Sequence, residues 1–300
     1  MSRPSTDHNT RPYWLLPVVA VCCLIGLALE PLAAAERPQR VVSINLCSDQ
    51  LLLMLADADQ VASVSQLALE PLSSFVAKQA QGYPINHARA EEVIALQPDL
   101  VLATSHDNPR LLTTLTNLGY RVEKLPPAND LKQIIRNIRQ LAALLQQSAR
   151  GEVLIHTLQQ RIGDTGETSP ELRPTTLFYQ PRGYTSGQQT LQDEALRLAG
   201  WRNLAAEQGI QGYAQVDLER LLRWQPQRIF TSTYDGSGNS LAERQLLHPA
   251  LSRQLAGHPL QNIPYRYWIC PGPMLADAVD LLRSAREGLQ GSPATMDPER

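Results

Sequence analysis

The hydrophobic positions of the chain alternate between short strand-like runs and longer stretches with helical spacing. Residues 41–44 form a β-branched run that leads into a polar loop, an apolar helical stretch at 51–55 follows, and a second strand-like run begins at Val61. In residues 90–105 a short helical pattern ends before a proline and is followed by a continuous apolar strand. Strands that alternate with helices in this way are typical of a parallel α/β sheet.

A second copy of this helix, proline and strand unit lies at residues 216–233. When the two copies are aligned on their prolines, Glu91 matches Glu219 and Gln97 matches Gln225. Two similar α/β lobes are the simplest explanation of the match. Helix and strand units of this kind recur in many α/β folds, so a chance similarity is the alternative.

The stretch between the two copies is helical. Its apolar residues from 131 onward follow helical spacing, and a polar patch divides it into two helices. The second helix, at 147–163, is long enough to join two lobes. We therefore predict an α/β fold with two Rossmann-like lobes, 36–146 and 164–300. Each lobe would contain a parallel sheet, and the ligand cleft would lie between the lobes.

The first 35 residues have the pattern of an export signal. Two arginines precede an apolar stretch at 14–29, and a run of small residues ends at Ala35. The apolar stretch is shorter than the roughly 20 residues of a membrane-spanning helix, which favours cleavage over a retained anchor. We predict that residues 1–35 are a signal peptide, cleaved after Ala35, that directs the protein to the periplasm.

Composition narrows the classes of function. With 27 basic and 29 acidic residues the net charge is −2, so nothing in the charge balance indicates binding of nucleic acid. The chain lacks a GxSxG elbow, a phosphate-binding loop with lysine and a GxGxxG loop after a strand, so we predict neither an enzyme nor a covalently bound cofactor. The histidines are scattered without metal-ligand spacing, which disfavours a site for a bare metal ion.

Two cysteines, Cys47 and Cys270, lie outside the predicted signal peptide. No CxxC pair is present, and the two thiols fall at predicted strand ends, one in each lobe. An exported protein meets an oxidising compartment, where thiols pair if their geometry allows it. Three states are therefore open: a bridge across the cleft, contact with ligand, or two separate buried thiols.

Four stretches of the chain, taken in their order, are informative together. They are SINLCSDQLLLMLADADQVASVS, EEVIALQPDLVL, YTSGQQTLQDEALRLAGWRNLAAE and LERLLRWQPQRIF, within residues 40–286. Together they resemble the periplasmic substrate-binding proteins of ABC importers for iron–siderophore complexes and cobalamin, in which one helix joins two Rossmann-like lobes. The resemblance implies a monomeric carrier that takes up a small-molecule metal chelate and delivers it to a membrane permease with its ATPase subunits.

The resemblance also implies a role for one glutamate in each repeat. Members of this family dock onto permease arginines through a glutamate on the outer face of each lobe, and the matching residues here are Glu91 and Glu219. Without the resemblance, both are solvated carboxylates in the first turns of short helices, where the helix dipole favours them. Contacts between carboxylate and arginine are strong and oriented, which suits docking.

Ligands of open α/β folds bind beyond the carboxyl ends of the strands, and this rule selects candidate ligand-binding residues on both lobes. The candidates are Asn45, Cys47, Ser48, Gln66, Thr104 and His106 on the first lobe, and Arg182, Tyr184, Tyr234, Arg266 and Trp268 on the second. The segment YRYWICPGP combines aromatic rings with a guanidinium, which suits a bulky metal complex. The same residues also fit a last sheet strand.

Two first-lobe positions bear on the identity of the chelate. Cobalamin-binding members of the family carry tyrosine and tryptophan where this chain has Gln66 and Thr104. We therefore expect an iron(III)–siderophore complex or a related metal chelate as the ligand. Cobalamin is the alternative, and a carrier of haem or of a bare metal ion is the second alternative.

Overall fold

Two parallel sheets organise the part of the chain that the structure describes. The structure is a computed structural model and describes residues 36–163, 169–232, 246, 248–255 and 260–290. The predicted signal peptide and the candidate ligand residue Tyr234 lie outside these ranges. Among the described residues, no helix is both long enough and apolar enough to cross a membrane.

The first sheet contains five parallel strands in the order 3-2-1-4-5. These strands are β1 (Val41–Ser43), β2 (Val61–Ser65), β3 (Ile85–Asn86), β4 (Leu100–Thr104) and β5 (Val122–Leu125). The helices around them are α1 (Leu46–Leu55), α2 (Ala77–Ala80), α3 (Ala90–Ala95), α4 (Pro109–Asn117) and α5 (Leu131–Leu144). Every residue of β4 is buried, as expected for a central parallel strand with a continuous apolar sequence.

After helix α6 (Ser148–Ile162) the chain enters the second sheet, whose four strands are also parallel. Its strands are β6 (Thr175–Phe178), β8 (Arg202–Asn203), β10 (Arg228–Thr231) and β11 (Gln261–Asn262), and an antiparallel pair is formed by β7 (Tyr184–Ser186) and β9 (Tyr213–Gln215). The helices are α7 (Leu191–Leu198), α8 (Leu204–Glu207), α9 (Leu218–Trp224), α10 (Pro249–Gln254) and α11 (Leu275–Gln290). The order in the sheet is β11-β10-β6-β8.

The two sheets share one strand arrangement. The order β2-β1-β4-β5 in the first corresponds to β8-β6-β10-β11 in the second, and in each repeat a short helix is followed directly by a central strand. Gln97 and Gln225, matched in the sequence, both have a left-handed backbone, with φ of 48° and 50°. Positive φ is uncommon outside glycine, so its occurrence at matched positions supports a repeated unit over chance similarity. The predicted α/β fold with two Rossmann-like lobes is confirmed.

Helix α6 is attached to both lobes. Near its start, Arg150 forms an ion pair with Asp57 of the first lobe at 2.6 Å. Near its end, Arg161 forms an ion pair with Asp277 of α11 at 3.1 Å. The helix also packs along α5 and α11, so it connects the two lobes through side chains as well as through the backbone.

One hydrophobic core runs through both lobes. It joins Leu52 of α1 and Leu141 of α5 to Ile155 of α6, and continues to Phe230 of β10 and Leu275 of α11, all of them buried. Burial of apolar side chains is the main stabilising contribution to such an arrangement. Because a large apolar interface resists relative domain motion, we expect the lobes to move little against each other.

Candidate functional site

A cavity of about 400 Å³ lies between the lobes, beyond the carboxyl ends of strands β1, β4 and β5. Its lining in the described part of the chain consists of Asn45, Cys47, Leu51, Thr104, His106, Leu125, Pro126, Pro127, Ala128, Asn129, Asn137, Leu191, Tyr213, Trp268, Ile269 and Pro271. Small-molecule sites occupy roughly 300–1,000 Å³ and are mainly apolar with a few polar groups. The cavity fits this description in both size and lining.

A hydrogen-bond network around Asp107 builds the first-lobe wall. Asn45 caps α1 by accepting from the backbone N–H of Cys47 at 2.8 Å, and its amide nitrogen donates to Asp107 Oδ1 at 2.7 Å. Thr104 donates to Asp107 Oδ2 from its backbone N–H at 2.6 Å and from Oγ1 at 3.2 Å. The backbone N–H of His106 donates to Thr104 Oγ1 at 3.3 Å. Asp107 therefore fixes the loop that carries His106.

A disulfide joins the lobes beside the cavity. Cys47, in the first turn of α1, is bonded to Cys270, which precedes α11 in the second lobe. The S–S distance is 2.14 Å and the Cα atoms lie 5.0 Å apart. Of the three states that were open for these cysteines, the bridge across the cleft is the one present. Neither sulfur is therefore a thiolate that could bind a metal.

Two aromatic side chains contribute to the second-lobe wall. Trp268 is 3% exposed, packs edge-on against Phe178 with ring centroids 4.5 Å apart, and donates from Nε1 to Ser232 Oγ at 3.0 Å. Tyr213 of β9 donates its hydroxyl proton to Gln192 Oε1 at 3.0 Å. The residue is 60% exposed, yet the partly buried position of its hydroxyl raises the pKa of Tyr213 above its usual 10.0. The hydroxyl is thus held as a neutral phenol.

Five of the predicted ligand residues line the cavity, and the other described ones do not. The five are Asn45, Cys47, Thr104, His106 and Trp268. Ser48 lies outside the lining: it is fully buried, and its hydroxyl hydrogen-bonds Ser43 Oγ at 2.8 Å inside the first lobe. Successive helical residues point about 100° apart, so Ser48 faces the sheet while its neighbour Cys47 faces the cavity. Gln66 is exposed on a short 3-10 helix outside the lining.

The other described second-lobe candidates, Arg182, Tyr184 and Arg266, lie outside the lining. The segment after Pro264 is a 3-10 helix, Tyr265–Tyr267, and not a strand. The Arg266 guanidinium lies 5.3 Å over the ring of Tyr267 and donates to the carbonyl of Pro71 at 3.4 Å, so it connects the lobes outside the cavity lining. Arg182 and Tyr184 are exposed next to a tight turn, also outside the lining.

Much of the lining was not predicted, including Asn137 of α5 and Leu191 of α7. Residues 125–129 lie at the carboxyl end of β5, so the rule of strand ends would have selected them if that strand had been recognised. Tyr213 belongs to the antiparallel pair and follows no parallel strand, so no local sequence signal indicates it.

The cavity wall is uncharged in the described part of the chain. Its lining there contains no aspartate, glutamate, lysine or arginine. In the same ranges, no group of three or more histidine, cysteine, aspartate or glutamate side chains is arranged to hold a metal ion. A ligand in this cavity would be held by apolar contacts, by hydrogen bonds to amides and by the imidazole of His106.

Asp49 is a buried carboxyl group behind the first-lobe wall. It accepts a hydrogen bond from the backbone N–H of Ser65 at 3.0 Å and another from Ser65 Oγ at 2.5 Å. Burial raises the pKa of Asp49 from 3.8 to about 7, hydrogen bonds from Ser43 and Ser65 oppose the rise, and the charge of Asp107 adds to it. Below about pH 7 the folded protein therefore favours the protonated form of Asp49.

This raised pKa predicts a pH dependence of stability. The stabilising contribution of Asp49 to the folded state is fully present below about pH 4, where the carboxyl group is protonated even in the unfolded chain. This contribution is lost as the pH rises through about 7, the pKa of Asp49 in the folded protein. We expect the free energy of unfolding of the wild type to fall over this range relative to Asp49→Asn, by at most about 1.4 kcal/mol per pH unit. Denaturant titrations between pH 4 and pH 8 measure this difference, with the exposed Asp59→Asn as the matched control. Parallel profiles for wild type and Asp49→Asn would show that Asp49 is ionised in the folded protein.

Comparison with known proteins connects this geometry to a family. The family profile described as periplasmic binding protein matches residues 41–258. A vitamin B12-binding protein of Pectobacterium carotovorum is 30% identical over 231 residues, which are 75% of this chain and 81% of that protein.

Solved structures show the same architecture. A periplasmic heme binding protein of Pseudomonas aeruginosa superposes with a TM-score of 0.67 at 25% identity, covering 83% of this chain and 92% of that one. The periplasmic vitamin B12 binding protein of Vibrio cholerae superposes with a TM-score of 0.65 at 23% identity. The match covers 85% of this chain and 99% of that one. The profile match over more than half of the chain, together with these relatives, shows that the chain belongs to the periplasmic binding protein family.

Proposed function

We propose that this protein captures a metal chelate in the cavity between its lobes and delivers it to the permease of an ABC importer. The observation that carries the proposal is the position of the cavity, beyond the carboxyl ends of the strands, in a chain of this family. Members of the family work with ABC permeases and bind small-molecule chelates without covalent attachment. We infer binding without a catalytic step.

Export to the periplasm is part of the proposal. We infer that residues 1–35 are removed after Ala35, which leaves a mature chain with lobes at 36–146 and 164–300 around the linking helix. The bridge between Cys47 and Cys270 is consistent with an oxidising compartment. The mature carrier is proposed to act as a monomer.

Cobalamin is the second candidate ligand, and two observations favour it. The sequence pointed first to an iron(III)–siderophore complex, because Gln66 and Thr104 replace aromatic residues. The uncharged cavity wall, however, offers no arginine or lysine to an anionic siderophore among its described residues. In addition, the relative from Pectobacterium carotovorum is a vitamin B12-binding protein.

Docking to the permease is proposed to use Glu91 and Glu219. Glu91 is exposed in the first turn of α3, and Glu219 is 84% exposed in the first turn of α9, where it pairs with Arg223 at 2.9 Å. An exposed pair of this kind contributes only about 0–1 kcal/mol to stability. Glu219 can therefore leave Arg223 and pair with a permease arginine at little energetic cost. The neighbouring Glu92 is different, because it accepts a hydrogen bond from the backbone of His87 at 2.6 Å.

The ligand class is tested by titration of the purified protein. The full chain is expressed with its leader, purified from the periplasm, and titrated with cobalamins, ferric siderophores and haem. We expect at least one chelate to quench tryptophan fluorescence, since Trp268 lines the cavity, and calorimetry to give the same affinity. Trp224→Phe, outside the lining, is the matched control and should retain the quenching. Absence of binding to every metal chelate would overturn the proposed function, and N-terminal sequencing tests cleavage after Ala35.

A further inference from the structure

A larger cavity, of about 740 Å³, lies on the second lobe away from the cleft. Its lining includes Thr175, the first residue of β6, Arg202, the first residue of β8, and Gln227, which directly precedes β10. The cavity therefore lies at the amino ends of the strands. The opposite end of β10 faces the cavity between the lobes, because Ser232 beyond that end accepts a hydrogen bond from Trp268. Both cavities can thus be occupied at the same time.

The lining of this larger cavity is basic, in contrast to the uncharged wall between the lobes. Three arginines, Arg173, Arg202 and Arg286, line it together with one carboxylate, the exposed Glu171. Arg202 is already compensated, because it forms an ion pair with Glu207 at 2.7 Å. Arg286 of α11 forms no hydrogen bond and no ion pair with any residue of the described ranges, and its Nε is buried.

The Arg286 guanidinium is held in place without being satisfied. Arg37 and Arg228 also have a buried Nε without a partner, but each donates from Nη2 to another side chain. Gly200 makes room for Arg286, since a Cβ at that position would collide with Nη1. Gly200 follows the carboxyl end of α7, whose dipole favours a cation without accepting its N–H groups. An arginine keeps its charge in proteins and a buried charge is normally paired, so this group lacks an anionic partner.

We propose that this cavity binds the phosphate group of an organic phosphate, with the Arg286 guanidinium as its main contact. Guanidinium donors match the geometry of phosphate oxygens. Gln227 adds a second donor: its Oε1 accepts from the backbone N–H of Thr175 at 2.7 Å, and its Nε2 has no partner among the described residues. The apolar side chains of Leu289 and Leu172, the latter 77% exposed, lie in the same lining and can contact the organic part.

Calorimetric titration of the protein purified from the periplasm tests the proposal, with glycerol phosphate and inorganic phosphate as probes and sodium chloride of equal ionic strength as reference. We expect saturable binding of glycerol phosphate that Arg286→Gln weakens about 10–100-fold. Gln227→Glu keeps the acceptor for Thr175 but replaces the amide donor by a carboxylate oxygen, so it should weaken binding as well. Arg253→Gln, which removes an exposed arginine of α10 outside the lining, is the matched control and should bind like the wild type.

A second arm distinguishes the source of the phosphate group. Vesicles of phosphatidylglycerol, with phosphatidylcholine vesicles as control, present the same group on a lipid. Binding to these vesicles that Arg286→Gln abolishes would assign a lipid headgroup, whereas binding of glycerol phosphate alone assigns a soluble ester. If neither probe binds above the chloride reference, or if folded Arg286→Gln and Gln227→Glu bind as tightly as the wild type, the inference is wrong. None of these outcomes depends on the chelate, so the proposed function is tested separately.

Discussion

Replacing both Glu91 and Glu219 by alanine is expected to lower chelate uptake by about 100-fold or more while leaving ligand affinity unchanged. Each carboxylate is proposed to form a charge-assisted contact with the permease, and such contacts contribute about 1.5–3 kcal/mol each. Both residues lie outside the cavity lining, so binding should not change. Uptake by whole cells and calorimetric titration of the purified variant measure the two quantities.

The matched control for this variant is Glu92→Ala combined with Glu207→Ala. These glutamates also lie in short helices, one in each lobe. They contact residues outside their own helices, Glu92 the His87 backbone and Glu207 the side chain of Arg202 at 2.7 Å, whereas Glu219 pairs only with Arg223 of its own helix among the described residues. We expect this control to retain most of the uptake. If the Glu91 and Glu219 variant loses ligand affinity, or keeps full uptake, the assignment of the docking residues is wrong.

Removing the disulfide, by Cys47→Ser with Cys270→Ser, is expected to lower the free energy of unfolding by about 2–5 kcal/mol. The bridge closes a loop with a sequence separation of 223 residues, and a long loop restricts the unfolded chain strongly. Denaturant titration of the wild type and the variant measures the difference.

Reductant provides the control for this prediction. Dithiothreitol should destabilise the wild type to a similar extent and should leave the double-serine variant unchanged, because no bridge is left to reduce. Alkylation followed by mass spectrometry counts the free thiols in each sample. Equal stability of wild type and variant, with two alkylated thiols in the wild type, would show that the bridge does not form in solution.

The first-lobe wall was predictable because it follows from where the strands end. Asn45, Thr104 and His106 come directly after buried strands, and parallel strands bring their carboxyl ends to one edge of the sheet. Ser48 was predicted with them but lies one helical step away from the cavity, since the sequence does not show which way α1 turns its side chains.

The second-lobe wall was less predictable, because it depends on contacts between distant segments. The aromatic residues near Trp268 are compatible with either a sheet strand or a loop at the cleft. The structure has a 3-10 helix at Tyr265–Tyr267, from which Arg266 donates to the carbonyl of Pro71 in the other lobe. Tyr213 reaches the cavity through pairing of β9 with β7, a long-range contact with no periodic signal in the sequence.

The α/β class and the repeated unit follow from the amino-acid sequence alone, including the matched pairs Glu91 with Glu219 and Gln97 with Gln225. These features are local. Strand and helix periodicity, and the backbone conformation of a residue that precedes a proline, depend on neighbours along the chain. Three features require the folded structure: the bond between Cys47 and Cys270, the uncharged wall of the described cavity, and the hydrogen bonds by which Asp107 holds the loop of His106. Those features depend on side-chain direction and on packing between the two lobes, which local patterns do not encode.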